Sequence, residues 1–182
     1  MQTPKLNIVP SGKSVEQTDR VDLDSAYRIY APYVARVAMR VLGSRQGVDD
    51  IVQDVFLEAH RGIEKLNNPE ALKGWLATIT VRKVRKNLRR RAFLRAVGWE
   101  KSCEPLDLED KNFNPVNCGL LAAAYRILDT LPTSVRIAWI LKHVEGESLE
   151  RVAELTNCSR ATAHRRTTLA KNALAEAFDD EQ

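Results

Sequence analysis

No run of apolar residues in this 182-residue chain approaches the roughly 20 needed to cross a bilayer as a helix. The first 20 residues are polar and carry no apolar core of the signal-peptide kind, so a cytoplasmic location is expected. Cysteine is scarce. Cys103, Cys118 and Cys158 form no CxxC pair and no metal-ligand spacing, which fits reduced thiols; a redox-sensing role is the minor alternative. No phosphate-cradling glycine loop, nucleophile motif or pair of carboxylates facing a cleft is present, and His60, His143 and His164 stand isolated. No catalytic residue, bound metal or cofactor is therefore expected, and the chain reads as a non-enzyme. No segment alternates with strand period, so the expected class is all-α.

What the chain has is charge, unevenly placed. The formal net charge is only +4. Yet Arg82, Lys83, Arg85, Lys86, Arg89, Arg90, Arg91 and Arg95 follow one another with no acid among them. Residues 97–118 then carry Glu100, Glu104, Asp107, Glu109 and Asp110 against Lys101 and Lys111. Such separation favours a localised polyanion contact. At 1.5 Å per residue the basic stretch spans about 20 Å of helix. Duplex DNA carries a charge every 1.7 Å or so, so the stripe faces several phosphates. The bland alternative, a solvated amphipathic helix, leaves eight positive charges repelling one another. A membrane-surface helix is a weaker competitor.

The periodicity places helices on both sides of the acidic stretch. Residues 1–20, with two prolines and little period, read as a flexible tail. Leu23, Ala26, Tyr27, Tyr30, Val34, Val37, Ala38, Val41 and Leu42 recur at helical steps, with a kink or break expected near Tyr30 because of Pro32. From Val48 to about Lys65, Val48, Ile51, Val52, Val55, Phe56, Ala59, Ile63 and Leu66 form one stripe, and Leu57 falls among the acids. Asn68 and Pro69 suit the start of a further helix over Glu70 to about Leu94, with Leu72, Leu76, Thr80, Val84 and Leu88 as its buried row. The carboxylates of the second helix, Asp49, Asp50, Asp54 and Glu58, lack the Glu-x-x-His pairing of bundle metal sites. They read as a solvated face or, more sharply, as a docking face for a basic partner.

Beyond the acidic stretch, helices are expected over Leu120–Thr130 and Val135–Val144, the latter capped by Thr133 or Ser134. Ser148 then caps Leu149–Leu155, Asn157 suits the left-handed turn, and Ser159 caps a last helix from Arg160 to about Phe178. Leu149, Val152, Ala153, Leu155, Ala163 and Leu169 are the expected inner side of this helix-turn-helix. Such a unit places the N-terminal end of its second helix in the major groove. Ser159, Arg160 and Thr162 stand at that end, with Arg165 and Arg166 able to bind phosphate or guanine. An ordinary helical hairpin is the bland alternative. Two small helical domains on a flexible linker result: a tail over 1–20, a domain over 21–96, an acidic linker over 97–118 and a helix-turn-helix domain over 119–182.

The run Val48-Asp49-Asp50-Ile51-Val52-Gln53-Asp54-Val55-Phe56-Leu57-Glu58-Ala59 resembles the signature helix of bacterial RNA polymerase sigma factors. Leu131-Pro132, the helix after it and the Ser148–Leu174 unit resemble the same family's C-terminal domain. The lack of a middle domain points to the extracytoplasmic-function (ECF) group. The resemblance implies a chain that binds core RNA polymerase, by the clamp helices of the largest subunit and the flap of the second-largest, and directs it to promoter DNA. It implies core-polymerase binding by Asp50, Gln53, Asp54, Leu57 and Glu58. Asn67, Asn68, Lys73, Arg82, Arg85, Lys86, Arg89 and Arg90 would hold the melted −10 strand. Ser159, Arg160, Thr162, His164, Arg165 and Arg166 would read the −35 element. An anti-sigma partner and a monomeric free state are further implications. Four departures stand out: His60 where many members carry Trp, Thr167 at a usually apolar position, Leu169 at one that is often Arg, and Thr156-Asn157 in place of a common Leu-Gly turn. The rivals are a dimeric helix-turn-helix repressor that never touches polymerase, and a nucleic-acid enzyme such as a recombinase. The first lacks an obvious dimer helix, the second a nucleophile.

Overall fold

The computed structural model describes residues 22–63, 66, 68–99 and 115–179. The expected tail, Asn67 and most of the acidic linker lie outside them. Seven α-helices and one 3₁₀ turn make up the described residues, with no strand among them.

Helix α1, Leu23–Leu42, starts where the Asp22 carboxylate accepts the Ser25 N–H at 3.0 Å. It stops at Gly43, in the left-handed region at φ 63°, whose N–H reaches the Met39 carbonyl. No break occurs near Tyr30, and one helix runs through Pro32. Buried Ala26 before the proline and Val34, Val37, Ala38 and Val41 after it anchor both halves, which offsets the lost hydrogen bond. Helix α2, Val48–Gly62, buries the expected stripe from Val48 to Ala59. It ends before the expected Lys65, with Ile63 as its C-cap.

The next helix begins later than expected. The Asn68 side-chain oxygen accepts the Glu70 N–H at 2.9 Å, so Asn68 caps the segment ahead of Pro69 as expected. A 3₁₀ turn, Pro69–Ala71, follows, and helix α3 then runs Leu72–Ala96. The row Leu72, Leu76, Thr80, Val84 and Leu88 is buried throughout, as its spacing predicts. Thr80 is tolerated there because its hydroxyl donates to the Leu76 carbonyl at 2.7 Å.

In the second half, helix α4, Pro115–Thr130, starts inside the stretch read as linker. Its opening proline suits a first helical turn, where no N–H is needed. Helix α5, Thr133–His143, has Pro132 rather than Thr133 or Ser134 at its N-cap, with no side-chain cap bond. Helices α6, Leu149–Thr156, and α7, Arg160–Asp179, complete the unit. Helices α1–α3 pack on one another, α5, α6 and α7 likewise, and α5 and α6 also rest against α3.

Truncating Leu76, which is wholly buried, is expected to cost about 2–5 kcal/mol in urea unfolding. Truncating Leu57, which is 52% exposed, is expected to stay within about 0.5 kcal/mol.

Candidate functional site

Three surfaces collect the residues singled out by the sequence. The first is α2. Its inward stripe fixes the rotation of the helix, so Asp50, Gln53, Asp54 and Leu57 emerge together on the exposed side, with Glu58 half-buried. Beside them lies a groove of about 600 Å³ lined by Leu23, Tyr27, Asp49, Val52, Gln53, Phe56, Leu57 and His60. Tyr27 and Phe56 meet edge to face in it, with ring centres 4.8 Å apart. Sequence reasoning found the helix but not the groove, because Tyr27 and Leu23 come from α1. The exposed Leu57 was its one visible sign.

The second surface is the basic side of α3, where the structure corrects the picture of eight uncompensated charges. Arg82 pairs with Glu58 of α2, and Lys83 lies 3.3 Å from Glu58 and 3.6 Å from Asp54. Arg91 donates to the Ser44 hydroxyl and the Gln46 carbonyl, and Arg95 approaches Asp129. Among the described residues no ion pair holds Arg85, Lys86, Arg89 or Arg90, and these four make the basic face. Lys73 sits apart near the start of the helix, 5.1 Å from the centre of the Tyr33 ring. Asn68 is exposed nearby with its side chain engaged in the turn, and Asn67 falls outside the described residues. The eight residues expected to hold a melted strand are thus not one patch. One of them, Arg82, touches the acidic surface of α2.

The third surface is the helix-turn-helix. Ser148 caps α6 by accepting the Arg151 N–H at 3.1 Å. Asn157 adopts the left-handed conformation, φ 50°, and the Cys158 N–H reaches back to the Ala153 carbonyl, which closes the helix end. Ser159 then caps α7 through the Thr162 N–H, and the two hydroxyls lie 2.9 Å apart. Val152, Ala153 and Leu155 are buried with Ala163, as expected. Leu169 is not; it is 50% exposed, and Thr167 and Ala170 take the inner positions. The Thr167 hydroxyl donates to the His164 carbonyl at 2.8 Å, so this departure from an apolar side chain is satisfied locally. Arg160, His164 and Arg165 are exposed and Arg166 is half-exposed at the same end of α7. Arg160 forms an ion pair with Glu150 of α6. Hydrogen bonds from its own backbone N–H, then from Arg160, hold the Glu150 carboxyl below its ordinary value.

Comparison with known proteins places both halves of the chain in one family. The family described as "Sigma-70 region 2" matches residues 26–93, and "Sigma-70, region 4" matches residues 121–174. Among curated relatives, the chain is similar to the ECF RNA polymerase sigma factor SigE of Mycolicibacterium smegmatis. The two are 27% identical over 164 residues, covering 86% of this chain and 63% of that relative. The ECF RNA polymerase sigma-E factor of Escherichia coli is 27% identical over 160 residues, covering 80% of each. The chain belongs to the ECF group of sigma factors. Among solved structures, the fold is shared with the sigma factor RpoE bound to the anti-sigma factor NepR from Bartonella quintana. The TM-score there is 0.68 at 21% identity, covering 88% of this chain and 99% of that one. It is shared also with CnrH bound to the cytosolic domain of CnrY, at a TM-score of 0.59 and 21% identity, covering 88% and 89%.

Replacing Glu150 with Gln breaks the ion pair with Arg160 and removes a negative charge beside the start of α7. Duplex binding at low salt is expected to strengthen several-fold, with the melting temperature unchanged, as read by fluorescence anisotropy and thermal unfolding. The carboxyl titrates below its ordinary value, so its pair with Arg160 persists at neutral pH. It is lost only as pH falls through that lowered value. Mild acidification should therefore fail to mimic the substitution.

Proposed function

We propose that this sigma factor seats on core RNA polymerase through the exposed face of α2, with Asp50, Gln53, Asp54, Leu57 and Glu58 meeting the clamp helices of the largest subunit. The observation that carries the reading is Leu57, exposed amid those acids on the rim of an apolar groove. An apolar side chain ringed by charge is the make-up of a docking patch rather than of a merely solvated face. Asn67, Asn68 and the basic side of α3 hold the opened −10 strand, since capture of unstacked bases needs polar contacts beside backbone charge. The exposed start of α7 reads the −35 duplex with Arg160, His164, Arg165 and Arg166, positioned by the Ser159 and Thr162 hydroxyls. The C-terminal unit also meets the flap of the second-largest subunit. Two of the similar solved structures are sigma factors held by anti-sigma proteins. A partner of that kind is accordingly part of the proposal.

Purified chain added to core enzyme should yield start-site-specific transcripts in run-off assays over a promoter library. Core enzyme that initiates equally well alone would falsify the reading. Asp54→Arg is expected to abolish co-elution with core enzyme and to leave binding of duplex by the helix-turn-helix intact. Arg165→Ala is expected to weaken duplex binding and, if this residue contacts a phosphate, to lower the slope of log affinity against log salt by about 1. A change confined to one base position would instead mark Arg165 as a base reader.

A further inference from the structure

A helix ends with carbonyls that have no partner within it, at the negative end of its dipole. In α1 those carbonyls belong to Arg40, Val41 and Leu42, and side chains from the other half of the chain satisfy all three. The Tyr125 hydroxyl donates to the Arg40 carbonyl at 2.7 Å. Arg136 Nε donates to Val41 at 3.0 Å and its Nη2 to Leu42 at 2.6 Å. Arg136 is 3% exposed, and its Nη1 pairs with Asp129 of α4, which aims the guanidinium at α1. The Tyr125 ring lies beneath the guanidinium, 5.7 Å away at its centre. Gly43 makes the close approach possible. A Cβ there would stand 2.5 Å from the Tyr125 ring and 2.8 Å from Arg136 Nη2. Two further bridges flank this contact. Arg40 pairs with Glu145 at 3.1 Å, and Arg151 of α6 donates to the Gly74 carbonyl at the start of α3 at 2.9 Å.

We propose that the C-terminal end of α1 is a guanidinium-binding site whose occupant in the free chain is Arg136, and that this latch holds the C-terminal unit on the N-terminal one until promoter engagement empties it. The chemistry selects arginine. A planar fork reaches two neighbouring carbonyls while a third nitrogen keeps its carboxylate, and a lysine ammonium has no such fork. Each bond is exchanged for one to water when the units part, so the latch is reversible. Its consequence follows from where it acts. Helix α6 is the first helix of the helix-turn-helix, and Arg151 ties it to α3. While the latch is closed, the separation of the two DNA-reading surfaces is fixed. Reading two elements on one duplex requires that separation to follow the spacer between them. The latch stands on geometry alone; only its release by promoter complexes rests on the proposed function.

Small-angle scattering of the full chain tests it, with Arg136→Met, Tyr125→Phe and the double variant Arg40→Ala/Arg151→Ala. The double variant removes the flanking bridges at positions outside both apolar cores, so it reports even if Arg136→Met fails to fold. Wild type should scatter as one compact body, and the variants should show a larger radius of gyration with unchanged helix content by circular dichroism. If the open form is about a tenth of the free wild-type chain, opening it fully should raise the apparent affinity of the polymerase-bound chain for two-element promoter DNA up to about tenfold. Scattering identical to wild type in the folded variants, whether compact or extended, overturns the latch. Expanded variants with unaltered promoter affinity overturn its role in engagement. Expanded variants with no promoter-specific transcription from any form, wild type included, would leave the latch in place and remove the proposed function instead.

Discussion

The row Leu72–Leu76–Thr80–Val84–Leu88 is the constraint on which the other elements depend. Side chains four apart stack along one side of a helix, and burying that side of α3 sets which of its other side chains can reach solvent. Arg85, Lys86, Arg89 and Arg90 are displayed because the row is hidden. The same burial fixes α2. Its stripe meets α1 and α3, so its carboxylates and Leu57 turn outward. Apolar packing thus positions charged surfaces with which it has no direct contact, and α3 then offers α5 and α6 a bed to lie on.

Much of this was legible in the amino-acid sequence, and for a physical reason. Helical period, N-caps and left-handed stops are local signals, so α1, α2 and the helix-turn-helix could be read from residues within a turn of one another. Ser148, Asn157 and Ser159 act as their side chains suggest. Where local signals competed, the reading slipped. Asn68 caps its segment as read, but the first turn after it is 3₁₀ and α3 proper starts at Leu72. Pro132 takes the N-cap of α5, so neither Thr133 nor Ser134 supplies the hydroxyl cap read from the sequence. Pro32 is carried through by tertiary burial that no local rule contains.

The misplaced charges and side chains are of a different kind. Whether a basic residue is solvated depends on which acid stands opposite, and the partners of Arg82 and Lys83 come from a helix about 25 residues earlier in the chain. Leu169 was assigned inward because leucine is apolar, yet the geometry of α7 puts Thr167 there and lets its hydroxyl bond to its own helix. Arg136 carried a faint signal: it shares a helical side with Ile140, an odd place for a cation unless something polar waits across the boundary. The waiting groups are backbone carbonyls, which no residue letter announces.

The contact between Arg82 and Glu58 joins two surfaces that the sequence presents as separate. Substitutions on either side of it cannot be treated as independent probes. Removing the carboxylate also alters the electrostatic setting of the guanidinium, and the reverse holds equally. Defects scored at these two positions will not sum, and only a double-mutant cycle can apportion them.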